Sequence, residues 1–85
     1  MDISVEHRGG EDYVVRVGAQ SKHAVRAGPQ ALARVTRPGD TPEQSVIRAF
    51  HFLLERESPE SILASFALED IARYFPEFWS EMSRA

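Results

Sequence analysis

The hydrophobic period of the chain changes near its middle, and this change constrains the fold more than any other feature. Before Gly39 apolar residues alternate with polar ones, as in Val15-Arg16-Val17. From Thr41 onward apolar residues recur every three to four positions, almost to the C-terminus. Alternation is typical of half-buried strands, and the longer period is typical of amphipathic helices. We therefore predict an α+β fold in which a short antiparallel sheet forms first and helices pack on it.

The length and composition limit the kinds of function that the chain can have. A chain of 85 residues predicts a single domain over 1–85, with a β-rich part at 1–27 and a helical part at 28–85. Such a domain hides roughly 60–65% of its unfolded surface, which leaves little room for a deep catalytic cavity. The sequence contains no cysteine, which excludes disulfides, thiolate nucleophiles and Cys-ligated zinc. With no basic leader and no apolar run near the roughly 20 residues that span a bilayer, we expect a cytoplasmic protein.

The β-rich part contains two alternating runs on either side of Gly9-Gly10. The first covers residues 2–7 and the second covers residues 13–17, which together predict a β-hairpin around the glycine pair. A third extended segment is predicted over 22–27. The sheet is therefore expected to contain two to three strands.

The strongest local signal in the helical part is Thr41-Pro42-Glu43-Gln44. Thr41 suits the N-cap position, proline suits the first helical position, and Gln44 at the third position completes a capping box. The spacing of the apolar residues that follow predicts a helix over 42–57. On this helix Phe52 lies off the buried stripe, on the flank nearer solvent.

Three further helices are predicted around this one. Pro29 favours a helix over 29–36, and Ser58-Pro59 favours a short helix over 59–65. A 3-4-3-4 spacing of apolar residues predicts helix over 68–83, which either kinks or breaks at Pro76. The predicted core includes Val5, Val15, Leu32, Val46, Phe50, Leu53, Ile62, Ile71 and Phe75.

The residues that usually carry catalysis are dispersed in this sequence. His7, His23 and His51 lie on different elements, and none has the spacing that holds zinc on one helix face. The carboxylate pairs Glu11-Asp12 and Glu69-Asp70 lie beside a loop and on an outer helix face, away from the burial that raises a carboxyl pKa. We expect no enzyme, cofactor, metal or small-molecule substrate. A pocket that gathered His23 or His51 with a carboxylate would favour an enzyme instead.

Aromatic residues in the helical part exceed what a small domain can easily bury. Exposed aromatic clusters commonly mark interfaces. The favoured function is therefore a non-enzymatic interaction or regulatory module that acts as a homodimer or binds another protein. For Phe52 and Trp79 a place in the core is an equally open interpretation. The predicted interface residues are Phe52, Tyr74, Phe78 and Trp79.

Charge is distributed unevenly along the chain. The net charge of −3 argues against a general nucleic-acid binder. Residues 13–37 nevertheless hold five bases and no acid, whereas residues 38–85 hold nine acids and four bases. This asymmetry predicts two surfaces of unlike charge, or a solvated surface with a local imbalance.

The order of elements from Lys22 to Glu57 is a short basic strand, a short helix, a turn and a longer amphipathic helix. This order resembles a ribbon-helix-helix domain. The resemblance implies that two chains pair their strands into a ribbon in the DNA major groove, with Lys22, Ala24 and Arg26 facing the bases. It also implies that Thr41 and the helix after it hold a phosphate. The alternative function is therefore a DNA-binding regulator, with nucleic-acid residues Lys22, Arg26, Arg34, Arg37 and Thr41.

A second resemblance covers most of the C-terminal half. The runs at 45–57, 59–63 and 73–77 are similar to a group of small uncharacterised bacterial proteins. This resemblance implies a bacterial cytoplasmic protein. It brings no activity and no site residues.

Overall fold

The computed structural model describes residues 2–83, so Met1, Arg84 and Ala85 of the predicted domain lie outside the described residues. The predicted α+β class is confirmed. No helix within 2–83 has both the length and the apolar content needed to cross a bilayer. The strands of the described part are β1 (Ile3–Gly9), β2 (Asp12–Val17), β3 (Ser21–Arg26) and β4 (Ser65–Ala67), and its α-helices are α1 (Pro29–Val35), α2 (Pro42–Leu54), α3 (Ile71–Tyr74) and α4 (Phe78–Ser83).

The sheet has one strand more than the sequence predicts. Its order is β1-β2-β3-β4. The first three strands are antiparallel, and β4 joins β3 in parallel. The predicted hairpin around Gly9-Gly10 is confirmed, and these residues adopt φ values of 111° and 55°. Positive φ has little steric cost for glycine, which explains why two glycines make this turn.

The predicted helix over 59–65 is wrong. Only one turn of 3₁₀ helix forms, at Pro59–Ser61, and the chain then becomes extended and enters β4. Ala24 of β3 donates its backbone N–H to the carbonyl of Ala64 at 2.8 Å. Pairing with β3 therefore satisfies the backbone that the predicted helix would have bonded internally, so tertiary structure overrides the local capping signal.

The capping box of α2 is confirmed. Gln44 donates its backbone N–H to Thr41 Oγ1 at 3.2 Å, and Thr41 donates its own to Gln44 Oε1 at 2.9 Å. The helix ends at Leu54, about one turn before the predicted limit of 57. Together with the Pro42 that follows Thr41, this cap fixes where α2 begins.

The segment predicted as helix over 68–83 breaks instead of bending. A 3₁₀ turn at Leu68–Asp70 leads into α3, and α4 is a separate helix. At the break, Phe75 has φ −132° and ψ 87°, outside the helical region. Proline disfavours helical backbone at the preceding residue, so Pro76 accounts for the interruption.

The helices cover one face of the sheet and leave the other face open. Along β3 the side chains of His23 and Val25 are buried, whereas Lys22, Ala24 and Arg26 are exposed. Of the predicted core, Val15, Val46, Phe50, Leu53, Ile62 and Ile71 are buried, and Val5, Leu32 and Phe75 are partly buried against it. The core also contains Tyr13, Leu68 and Phe78, which were not predicted there, and Phe52, for which a core position was one of two open interpretations.

Candidate functional site

Two of the four predicted interface aromatics are in the core of the protomer. Phe52 is 3% exposed and Phe78 is 0% exposed, with ring centroids 5.2 Å apart. This corrects the expectation that Phe78 adds to the exposed apolar surface, and for Phe52 it favours the core position over the exposed one, both of which the sequence had left open. The prediction from the hydrophobic period assumed that α2 has a single buried face. In the structure α2 packs on the sheet on one side and on α4 on another. Phe52 fills the second contact.

Trp79 is half-buried and lies beneath a cation. The guanidinium of Arg34 is 3.9 Å from the indole centroid. Close by in sequence, Arg37 donates hydrogen bonds to the carbonyls of Met82 at 3.2 Å and Glu81 at 3.3 Å. Cations are favoured at helix C-termini because the last carbonyls there lack helical partners. These two arginines, predicted as nucleic-acid residues, thus contact α4 and stabilise its packing beside α1.

Tyr74, the remaining predicted interface residue, lies on the surface beside an apolar groove. Tyr74 is 68% exposed and Leu63 is 52% exposed, and they are the exposed large hydrophobic residues within 2–83. Both line a groove of about 250 Å³ between the C-terminal end of α2, β4 and α3. We call it the Tyr74 groove. Its other apolar walls are Leu53, Ile62, Phe66, Ile71 and Phe75.

The charged residues that line the Tyr74 groove are both acidic. Asp70 accepts the backbone N–H of Ala67 at 3.1 Å and lies 3.9 Å from Arg73 Nε. Glu57 is partly buried, and its carboxylate has no hydrogen-bond or ion-pair partner among residues 2–83. A carboxylate at an apolar surface loses hydration, so a cation is its natural partner. The sequence analysis did not identify Leu63 or Glu57.

One buried histidine bonds the rim of this groove, which is the segment Leu63-Ala64 before β4, to the sheet. His23 is 2% exposed, and its Nδ1 donates to the carbonyl of Leu63 at 2.7 Å. Its Nε2 is 2.8 Å from Ser21 Oγ, which is the donor when the ring is neutral. The sequence did contain a signal for this burial: His23 is two residues from the apolar Val25, so both side chains lie on the same face of β3.

Neither of the other histidines lines the Tyr74 groove, and the two lie on different elements. His7 donates from Nε2 to the carbonyl of Gly10 at 2.8 Å and stacks on Tyr13 with ring centroids 4.5 Å apart. His51 is exposed on α2 and lines an open surface pocket of about 370 Å³ together with Glu55 and Glu57, the kind of grouping that the sequence analysis named as favouring an enzyme. Within 2–83 no three His, Asp or Glu side chains form a group able to hold a metal.

The predicted nucleic-acid residues occupy different parts of the fold. Lys22 and Arg26 lie on the open face of the sheet, where Arg16 is the cross-strand neighbour of Lys22. The Thr41 hydroxyl is engaged in the capping box of α2. β3 pairs with β2 on one edge and with β4 on the other, so a ribbon of two β3 strands would have to displace one of them.

The strand β1 has a free edge. Within the described part of the chain β1 pairs with β2 alone. Gly18 donates its N–H to the carbonyl of Asp2 at 2.7 Å, which makes these residues a hydrogen-bonded pair. Bonded and non-bonded pairs alternate along an antiparallel ladder. The backbone groups of Ile3, Val5 and His7 therefore point away from β2, and we call this row the β1 edge.

Comparisons with known proteins do not add to this description. No protein-family model, curated protein or solved structure matches the chain. The surfaces from which a function can be inferred are therefore the β1 edge, the Tyr74 groove and the open face of the sheet.

Proposed function

We propose that the protein is a non-enzymatic interaction module that self-associates through the β1 edge. The observation that carries the proposal is the row of outward-pointing backbone groups at Ile3, Val5 and His7. Unpaired edges of this kind accept another strand, because backbone hydrogen bonds can continue across the interface. The side chains of Ile3 and Val5 are only partly buried, so a second copy would also cover apolar surface.

Symmetry and charge favour one register for this pairing. In a two-fold antiparallel pair, outward-pointing residues must face outward-pointing residues. An axis at Val5 places it opposite Val5 of the second copy, with Ile3 opposite His7 and Ser4 opposite Glu6. An axis at Glu6 would place two carboxylates directly opposite, which is destabilising. We therefore favour the register centred on Val5, with one continuous sheet across both copies.

Light scattering of Val5 variants tests the proposal. Val5→Pro removes an outward N–H but leaves the bonds between β1 and β2, since edge strands tolerate proline at such positions. We expect the wild type to dimerise at high micromolar concentration and Val5→Pro to be a folded monomer. Two lost hydrogen bonds per dimer, at about 0.5–1.5 kcal/mol each, correspond to a loss of affinity of roughly fivefold to 150-fold.

The control is Val5→Ala, which also trims the side chain but keeps the N–H. It should still dimerise, with an affinity between those of the wild type and Val5→Pro. A wild type that is strictly monomeric at high micromolar concentration would contradict the proposal. Equal affinities of the alanine and proline variants would also contradict it, because the backbone N–H would then play no part.

A DNA-binding regulator is the second candidate function, and the basic residues on the open sheet face support it. Lys22, Arg26 and Arg16 protrude from neighbouring strands, with Arg8 on the same face of β1. Two acids partly offset them: Glu6, at 3.5 Å from Arg8 and 3.7 Å from Arg16, and Asp12, the cross-strand neighbour of Arg26. A flat basic face can contact backbone phosphates without the two-chain ribbon.

Fluorescence anisotropy with a labelled random-sequence DNA duplex tests this candidate. Micromolar binding at low salt should weaken steeply at physiological salt, because phosphate contacts release counterions. The double variant Lys22→Gln/Arg26→Gln should bind more weakly. Arg73→Gln is the control for a lost surface cation, since Arg73 is 82% exposed on α3. No binding at low salt would reject the candidate.

A further inference from the structure

We infer that the Tyr74 groove binds a short segment of another protein that carries a large apolar side chain next to a lysine or arginine. The inference goes beyond self-association and uses a different surface. It depends on three observations: two exposed apolar side chains at one groove, an unpartnered carboxylate in its lining, and a rim held to the sheet by a buried histidine.

The size and walls of the groove suit an inserted side chain. Its volume of about 250 Å³ is below the roughly 300–1,000 Å³ typical of small-molecule sites. Leu63 and Tyr74 are at the surface, so an apolar side chain that enters between them would cover apolar area on both. Large apolar anchors in such pockets usually supply most of the affinity of an interface.

The acidic lining defines the charge of the segment. Glu57 and Asp70 line the groove, and no lysine or arginine within 2–83 does. Asp70 already has Arg73 at 3.9 Å, whereas Glu57 lacks a partner within 2–83. A cation beside the apolar anchor would pair with Glu57 and offset its lost hydration.

A second copy of the chain fits this groove poorly. Two grooves placed face to face would bring together Glu57 and Asp70 from both copies, and juxtaposed like charges are unfavourable. The basic sheet face of a second copy has the right charge. However, Val14 and Ala24 at its centre are too short to fill a groove. Because neither of these two faces fits, we assign the groove to a segment of a different protein.

The rim is fixed before any partner arrives. His23 bonds the Leu63 carbonyl at 2.7 Å, and Ala24 bonds the next carbonyl along the chain at 2.8 Å. Both donors belong to β3, an interior strand of the sheet. Less conformational entropy is then lost on binding than for a mobile loop.

A random peptide library of about 12 residues, displayed on phage and selected against the full chain, tests the inference. Enriched peptides should place a large apolar residue within a few positions of a lysine or arginine. Synthetic copies should bind Leu63→Ser/Tyr74→Ser at least about tenfold more weakly. Glu57→Gln should weaken binding about fivefold, with the loss shrinking at high salt.

Two variants serve as controls. Glu43→Gln removes the same charge in the first turn of α2, outside the groove lining, and should bind the peptides as the wild type does. Val5→Pro alters only the β1 edge and should also bind normally, which separates this site from self-association. The inference would be overturned if no peptide were enriched or if acidic peptides were enriched. It would also be overturned if the groove variants bound the peptides as tightly as the wild type does.

Discussion

The C-terminal end of α2 meets two neighbours, and the two contacts differ in completeness. Toward α4, Phe52 packs on Phe78, and the Arg56 guanidinium lies 3.6 Å from the Phe52 ring centroid. Arg56 also bonds the Glu77 carboxylate at 3.1 Å. Toward α3 and β4, the aromatic ring of Tyr74 is exposed and the carboxylate of Glu57 has no partner within 2–83. We call these the closed junction and the open junction.

Both junctions contain aromatic rings and a carboxylate, so composition does not explain the difference. At the closed junction a single arginine covers a ring and neutralises an acid. Within 2–83 no lysine or arginine lines the open junction, where the Tyr74 ring is exposed and the Glu57 carboxylate has no partner. A partner that brings an apolar group and a cation would supply what Arg56 supplies at the closed junction.

The largest expected effect comes from truncating the aromatic residue at each junction. Phe78→Ala should lower the free energy of unfolding by about 3–5 kcal/mol, because it leaves a cavity beside Phe52. Tyr74→Ala should change it by no more than about 0.5 kcal/mol, because the ring is largely in water. Urea unfolding measures both. Comparable losses from the two variants would contradict the distinction between a closed and an open junction.

An intermediate effect is expected at the link between the open junction and the sheet. His23→Phe keeps an aromatic ring but removes the donor to the Leu63 carbonyl, and should cost about 1–3 kcal/mol of unfolding free energy. Ser21→Ala removes only the bond at Nε2 and should cost less, about 0.5–1.5 kcal/mol. Urea unfolding of the two variants checks the order. If Ser21→Ala proved the more damaging change, the bond to Leu63 would not be what secures the rim.

Local patterns predicted the fold well only where local interactions determine it. The Gly9-Gly10 hairpin and the capping box of Thr41 depend on residues close in sequence, and both are confirmed. The segment 59–65 carries a similar but weaker signal at Ser58-Pro59, yet its backbone pairs with β3, about forty residues earlier in the chain. Pro76 was compatible with either a kinked helix or two separate helices. The non-helical backbone of Phe75 shows that the helix breaks there. Long-range pairing is the step that a single sequence does not reveal.

The candidate surfaces were harder to predict than the elements that carry them. Tyr74 was identified from its aromatic character, and it is exposed. Phe78 was assigned to the surface on the same criterion and Phe52 was left open between surface and core, but α2 and α4 bury both rings against each other. Leu63 was assigned to a helix, so its place on a groove rim depended on β4. Period identifies one buried face of a helix and does not reveal how many neighbours that helix has.

The smallest expected effect is a difference in pH dependence at the closed junction. The Glu77 carboxylate accepts hydrogen bonds from the backbone N–H of Glu77 and from the side chain of Arg56, and both hold its pKa below the ordinary value. A carboxyl with a lowered folded-state pKa adds stability at neutral pH, and this contribution is lost as the pH falls below about 4. Thermal unfolding at pH 7 and pH 3 should therefore show a smaller acid destabilisation in Glu77→Gln than in the wild type.

Arg56→Gln separates the two causes of this shift. It removes the cation but leaves the backbone N–H of Glu77, so its acid destabilisation should lie between those of the wild type and Glu77→Gln. Asp40, whose pKa is lowered by the backbone N–H of Arg37 and by the side chain of Arg48, is present in all three proteins and cancels in the comparison. Identical pH profiles for wild type and Arg56→Gln would mean that Arg56 acts at the closed junction through its contact with Phe52 alone. The case for a cation at the open junction would then depend on Glu57 by itself, without the parallel that the closed junction provides.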